Sequence, residues 1–470
     1  MAQPIWQWSA VDTAKAIRTG KITVQEAVDA ALGRMMETNA AVNAVTVDLS
    51  DDAQRAARRA DGIIKSGLAL GPLHGVPITI KENVDQRGQS TTNGVPAFAN
   101  MVAVTDSPVV ANLRKAGAII IGRTNTPEFS LRWFTDNPLR GLTKNPWRDD
   151  ITPGGSSGGA ASAVALGIGA IAHGNDLGGS LRYPAYACGL ATIRPSFGRV
   201  PAFNPTGAEE RPPSQQLMSV QGPIAREVRD VRLALGVMAQ PDVRDPWWVP
   251  APLEGPALPS PIKVAVCKKP AGIACHSAVA QAIDSAAGYL SNAGYAVEMV
   301  DPPLVAEIAE CWRTLLMTDT KVMSEAAMRE YGGEDINQVL GDYLAASNVR
   351  DLEGYMRALA DRTRLLRSWN LFMEDYPLVL APVSQVPPFP QLEDLKGTAR
   401  VREMLDEQSM LYAVNVLGLP AAAVPTGLHD GIPMGVQIIG PRFREDLCLD
   451  AAEAVERGTG ILCQQLWSKT

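Results

Sequence analysis

Three serines lie in surroundings suited to nucleophilic chemistry. Ser156 and Ser157 stand between Gly154, Gly155 and Gly158, Gly159, and Ser180 follows Gly178 and Gly179. Glycine loses the most freedom on folding, so six of them around three serines mark a need for backbone shape and exposed N–H groups. The two turns bracket AASAVALGIGAIA, an apolar run that a flexible Gly/Ser linker does not carry. The segment also lacks GxxxxGK[ST] and has no lysine to reach a phosphate, which sets a phosphate loop aside. A serine nucleophile with backbone donors remains. A serine hydroxyl is weakly nucleophilic at neutral pH, so its base must come from elsewhere in the chain.

GGSSGG, followed 24 positions after its first serine by the serine of DLGGSLR, resembles the amidase signature family. Four further stretches carry the resemblance: GVPITIKENVD (75–85), GRTNTPEF (122–129), GPIAREVRDV (222–231) and GLPAAAVPTG (418–427). It covers nearly the whole chain. It implies that Lys81 is the base, Ser156 a bridging serine held by a cis peptide bond, and Ser180 the acyl nucleophile. It places the oxyanion hole on the backbone N–H groups of Leu177, Gly178, Gly179 and Ser180. Gly154, Gly155, Ser157, Asp176 and Arg182 fall in the same motifs as supports. For Asp176 and Arg182 an ion pair or loop-orienting role is expected, with contact to a substrate anion as the other reading of Arg182.

These residue types suit the chemistry. A lysine serves as a base only when neutral, and burial beside Ile78 and Ile80 disfavours its ammonium form. Ser156 would relay the proton from Ser180 to Lys81 and later return it to the leaving amine. A competing triad can be drawn from His173, Asp176 and Ser180, but three members from one short segment rarely converge in the required geometry. Asn93, Gly94, Phe129, Trp133 and Phe134 lie in stretches that border the site in relatives; they are the substrate-pocket candidates, with core packing the alternative for each aromatic.

The rest of the chain must position these groups. At 470 residues, 46% hydrophobic and 20% charged, it has the balance of a core-forming protein. The net charge of −7, with no basic run, argues against a nucleic-acid-binding face. Six scattered cysteines without a CxxC, and four histidines, argue against a zinc site or a disulfide framework, and no cofactor is expected. The N-terminus lacks the pattern of a signal peptide, and residues 160–172, the most apolar stretch, are too short to span a bilayer, so a cytoplasmic protein without membrane attachment is expected. A homodimer stays open.

Thr23 and Glu26 form a capping-box pattern before one helix, and Ser50 opens an Ala/Arg-rich helix to about Ala60. Residues 1–65 are therefore expected to be flanking helices. GVPITI, GAIIIG and GAIAHG are short apolar runs separated by helical stretches, an alternation that argues for a layered α/β sheet. Residues 240–261 are proline-rich and aperiodic and read as a surface connection. Strand-like IKVAVCK, YAVEMV, YPLVLAPV and PMGVQIIG follow, with a helix between the first two and helices from the second to about Met373. The expectation is one α/β/α layered domain with a central mixed β-sheet flanked by helices, spanning 1–470.

The resulting reading is an amidohydrolase that cleaves linear amide C–N bonds of a small molecule through an acyl-enzyme. The family's members include acylamidases, indoleacetamide hydrolases, fatty acid amide hydrolases and urethane-cleaving enzymes, so carbamates and esters are within the expected chemistry. The alternative within the family is the glutaminase subunit of a tRNA-dependent amidotransferase. A non-catalytic binding protein on this scaffold is disfavoured because all three catalytic residue types are present.

Overall fold

The residues PITIK, β-branched and apolar up to a terminal lysine, form a strand buried along its whole length, as expected where both faces of a sheet are covered. Proline is tolerated at its first position, where a missing N–H costs little. In the computed structural model, which describes residues 3–207 and 209–468, it is one of eleven strands of a single sheet. These are β1 (Val45–Asp48), β2 (Pro77–Lys81), β3 (Ile119–Thr124), β4 (Ile171–Asp176), β5 (Ala191–Arg194), β6 (Val220–Ala225), β7 (Lys263–Val266), β8 (Ala296–Met299), β9 (Leu378–Pro382), β10 (Ala421–His429) and β11 (Ile432–Ile439). Their order is β1-β3-β2-β4-β6-β5-β10-β11-β9-β7-β8.

The sheet is mixed. β2 runs parallel to β3 and β4, and β7 parallel to β8 and β9. The strands between these two groups pair antiparallel, as does β1 at the edge. Helices cover both faces, and the strands alternate between two cores: Ile119 and Ile121 of β3 face one, Ile120 the other. The helix Gly158–Leu166 is buried on every side, which suits its uniformly apolar sequence.

The capping box forms as read: Glu26 N–H donates to Thr23 Oγ1, and Thr23 N–H donates to Glu26 Oε2. The Ser50 helix runs five residues further than expected, to Lys65. Residues 1–65 also contribute the edge strand β1, so they are not helices alone. Two of the quoted motifs contain parts of central strands, β6 and β10, which their proline and glycine content concealed. Residues 240–261 hold no helix or strand; buried Asp245 ties them back by accepting from Ala202 N–H.

Because β2 and β4 are adjacent and parallel, with Ile78 beside Ile171 and Thr79 beside Ala172, their C-terminal ends reach the same edge of the sheet. Lys81 ends β2, and the turn carrying Ser180 follows β4. Ligand sites of open α/β sheets form at such edges. Among the described residues no helix is long and apolar enough to cross a membrane.

Candidate active site

Lys81 is fully buried, and its amine meets three neutral oxygens. Nζ lies 2.7 Å from Ser156 Oγ, 3.1 Å from Ser157 Oγ and 2.8 Å from Asn175 Oδ1. Burial pushes the Lys81 amine well below the ordinary lysine range, outweighing the nearby Asp176 carboxylate, which acts in the opposite direction. Asn175 was not singled out from sequence. It sits on the strand beside that of Lys81, and its amide continues the contacts toward partly buried residues: Asn175 Nδ2 donates to Asn83 Oδ1, Asn83 Nδ2 to Ser130 Oγ, and Ser130 Oγ to Asn93 Oδ1. These contacts link the lysine to Asn93, one of the pocket candidates.

The first glycine-rich turn feeds the helix Gly158–Leu166. The Gly155–Ser156 peptide bond is cis. Two of the turn's glycines lie against main chain: a Cβ on Gly155 would be 2.4 Å from Arg132 O, and one on Gly159 would be 2.5 Å from Asn125 N. Thr135 Oγ1 closes the turn by donating to Gly154 O and accepting from Gly158 N–H.

The second turn, 177–181, feeds the helix Arg182–Cys188. Buried Asp176 anchors it: its carboxylate accepts from the N–H groups of Gly179 (2.8 Å) and Leu181 (3.2 Å), from Asn415 Nδ2 (2.8 Å) and from Arg182 Nε and Nη2 (3.0 and 3.1 Å). Burial alone would raise the carboxyl's pKa, but Arg182, Arg194 and Asn415 outweigh it and hold the group well below the usual carboxylate range. Arg182 spends its remaining contacts on Gln437 and Asn415 and is fully buried. It is thus paired with Asp176, the residue that accepts from the Gly179 and Leu181 N–H groups of the turn. Gly179 N–H, expected among the oxyanion donors, is likewise taken by Asp176. Among the described residues, the N–H groups of Leu177, Gly178 and Ser180 have no hydrogen-bond partner. Ser180 itself is 8% exposed.

The pocket candidates separate. Phe134 is fully buried and stacks on Phe389 with ring centroids 6.1 Å apart, so it is core. Trp133 is also buried, and its indole N–H donates to Gly178 O at 2.9 Å, making it a support of the second turn. Gly94 is pressed against the main chain, where a Cβ would sit 2.8 Å from Thr126 O. Phe129 and Asn93 are only partly buried, and the Phe129 ring stands edge-on to Phe98, which in turn lies beside Tyr331. His173 is buried, its Nε2 is 2.8 Å from Gln221 Oε1, and burial pushes its pKa down to about 3. It faces no serine. Two more residues escaped sequence reading: Trp312, whose Nε1 donates to Leu177 O at 3.0 Å, and Asn415, whose Nδ2 donates to Asp176 O at 3.2 Å. The six cysteines are unpaired, and among the described residues no cluster of three or more His, Cys, Asp or Glu could hold a metal ion.

A lysine whose ammonium form burial disfavours, serines within its reach and unpartnered backbone donors at one sheet edge are the parts that acyl-transfer hydrolysis requires. The chain belongs to the amidase family, whose model, described as Amidase, matches residues 26–449. It is a hydrolase of carbon–nitrogen bonds in linear amides. It is 54% identical over 465 residues to the indoleacetamide hydrolase of Bradyrhizobium diazoefficiens, covering 99% of this chain and 89% of that protein. It is 30% identical to the A-type component of the glutamyl-tRNA(Gln) amidotransferase of Moorella thermoacetica, over 97% of each chain. Among solved structures, a bacterial aryl acylamidase of the amidase signature family superposes with a TM-score of 0.85 at 26% identity, over 99% of both chains.

Proposed function

We propose that the protein hydrolyses a primary arylacetamide of the indoleacetamide type to the carboxylic acid and ammonia, using Ser180 as nucleophile, Ser156 as relay and Lys81 as base. The observation that carries the reading is the Lys81 amine, buried among neutral oxygens 2.7 Å from Ser156 Oγ. A neutral amine has two N–H donors and one lone pair, whereas the Asn175 carbonyl oxygen can only accept. Ser157 Oγ is positioned to donate to Asn175 O at 3.5 Å and so accepts from Lys81. The lone pair is left facing Ser156.

The steps follow from that inventory. Ser180 Oγ adds to the amide carbon, its proton passes to Ser156 Oγ, and the Ser156 proton passes to Lys81 Nζ. The N–H groups of Leu177, Gly178 and Ser180 meet the negative charge on the carbonyl oxygen. As the C–N bond breaks, the proton returns through Ser156 to the leaving nitrogen. Water then adds to the acyl-serine by the same path, releasing the acid and restoring the Ser180 hydroxyl. The nucleophile and the donors act on the carbonyl carbon, so esters of the same acyl group, and carbamates, fall within this chemistry. We take the whole chain as one working domain, since Trp312 and Asn415 reach the second turn from far along it.

The aromatic preference is supported by the indoleacetamide hydrolase similarity and by the partly exposed Phe129 with its neighbours Phe98 and Tyr331. The similarity to the amidotransferase component keeps a second reading, in which ammonia comes from glutamine for a partner enzyme. Ammonia release by the purified protein separates them. Turnover of indole-3-acetamide, with little or none of glutamine, is expected. Glutamine turnover without arylacetamide turnover would overturn the proposal. Release of the carboxylic acid from anilides and the matching methyl ester, and of the amine from a carbamate, maps the leaving groups accepted.

A further inference from the structure

In a trans peptide unit the C=O and N–H point in opposite directions, so a hydrogen bond that fixes the carbonyl also fixes the N–H. The only cis bonds among the described residues are Gly155–Ser156 and Ser260–Pro261, so every unit of the second turn is trans. Four consecutive carbonyls there are held. Asp176 O accepts from Asn415 Nδ2, Leu177 O from Trp312 Nε1, Gly178 O from Trp133 Nε1 and Gly179 O from Tyr183 N–H. The opposite ends of the first, second and fourth units are the N–H groups of Leu177, Gly178 and Ser180, which have no partner among the described residues. The opposite end of the third, Gly179 N–H, is tied to Asp176.

We propose that Trp312 and Trp133 are positioning residues for the oxyanion-binding N–H groups; the inference rests on the acyl-serine reading above. Glycine permits both signs of φ, so the peptide units flanking Gly178 and Gly179 can flip at little steric cost. A flip of the Leu177–Gly178 unit would turn a carbonyl oxygen toward the developing oxyanion in place of an N–H, replacing attraction by repulsion. The Trp312 indole blocks that flip by holding Leu177 O. The Trp133 indole, with Asp176 at the other end, clamps the next unit. Both rings are locked. Trp312 is 5% exposed and stacks on Tyr412 with centroids 4.6 Å apart, while Trp133 is 4% exposed and packs edge-on against Tyr183 and Tyr343. A Cβ at position 178 would meet the Trp312 ring at 2.7 Å, so the glycine is what lets the indole reach its carbonyl.

A buried indole N–H commonly finds some acceptor, so the test must read the oxyanion and not stability alone. Trp312→Phe and Trp133→Phe remove the N–H and keep a ring; 3-benzothienylalanine at 312 keeps the bicyclic shape without the N–H and serves should the Phe variant fold poorly. For each, kcat and KM for the amide are measured beside the affinities of a trifluoromethyl ketone, which forms a tetrahedral serine adduct, and of the product acid. Loss of one direct oxyanion donor costs about 10²–10³ in kcat, so loss of its support is expected to cost about 10–100-fold. KM and acid affinity should change less than about twofold, and ketone affinity should fall in proportion to kcat. An unchanged kcat, or a fall in kcat with unchanged ketone affinity, overturns the positioning role. Failure of the acyl-serine reading looks different: the ketone would form no adduct on Ser180 of the wild-type protein.

Discussion

The two glycine-rich turns look alike in sequence and are held in place by different means. The turn around Ser156 is fixed largely by main chain pressing on main chain, with Gly155 against Arg132 O and Gly159 against Asn125, and one side chain, Thr135, closes it. The turn around Ser180 is fixed by side chains. Asp176, Arg182, Trp133, Trp312 and Asn415 hold its polar groups, and a Cβ at Gly179 would first meet the Leu411 side chain, at 2.1 Å. Steric fixation suits a relay serine that must stay beside a buried lysine. Polar fixation suits a loop whose backbone N–H groups must face one way while its serine hydroxyl remains accessible.

The sharpest division between the turns comes from removing the hydroxyl that only the second supplies. Ser180→Ala should lower turnover by about 10⁴-fold or more while leaving the melting curve unchanged, since the removed oxygen supports no packing. A serine-directed covalent inhibitor should add once, at Ser180. Mass spectrometry that found the adduct on Ser157 or Ser162 would transfer the nucleophile to the other turn.

Breaking the link from the first turn to its lysine comes next. Lys81→Ala should cost about 10²–10⁴-fold in acylation, the range of general base catalysis. Lys81→Arg should be nearly as damaging, because a guanidinium stays charged and cannot take a proton. For the wild type, kcat/KM should rise with pH as Lys81 loses its proton, since only the neutral amine accepts. Burial lowers the folded-state pKa, so the plateau should be reached well below the ordinary lysine value of about 10.4. A matched ester, whose leaving group needs less protonation, should suffer less than the amide in both variants. Near wild-type amide turnover by Lys81→Arg across the pH range would leave the residue no role as a base.

Gly155→Ala probes the steric half of the comparison. The added methyl would stand 2.4–2.7 Å from backbone atoms of residues 132–134, where no side chain can give way. Overpacking of this kind costs about 1–3 kcal/mol, readable as a lower denaturation midpoint with unchanged slope in urea. Turnover should fall as well, because Ser156 moves with the turn. Gly179→Ala meets a side chain, so adding Leu411→Ala should recover part of its stability loss; no single truncation should do so for Gly155→Ala.

The smallest effect belongs to His173, which lies on the strand between the two turns and serves neither. His173→Asn should leave kcat/KM within about tenfold, or about 1.4 kcal/mol in barrier. A loss of thousands-fold with an intact fold would bring the histidine into the proton path.

What the sequence determined by itself is local. Glycine density marked both turns, β-branched runs marked β2, β3 and β4, and Thr23 with Glu26 marked a helix start, because each rests on preferences acting over a few residues. The family resemblance carried by its motifs put forward Lys81, Ser156 and Ser180 together, and an ion-pair or loop-orienting role for Asp176 and Arg182. Only the tertiary structure decided what meets those groups from elsewhere in the chain. Asn175 touches Lys81 through the register of parallel strands, and Trp312 and Asn415 approach the second turn from segments more than a hundred residues away. It also sent Phe134 into the core beside Phe389, turned Trp133 from a pocket candidate into a support, and gave Gly179 N–H to Asp176. Which carbonyl an indole reaches, and which N–H is left over, depends on packing between distant elements. No pattern within a single stretch of sequence carries that information.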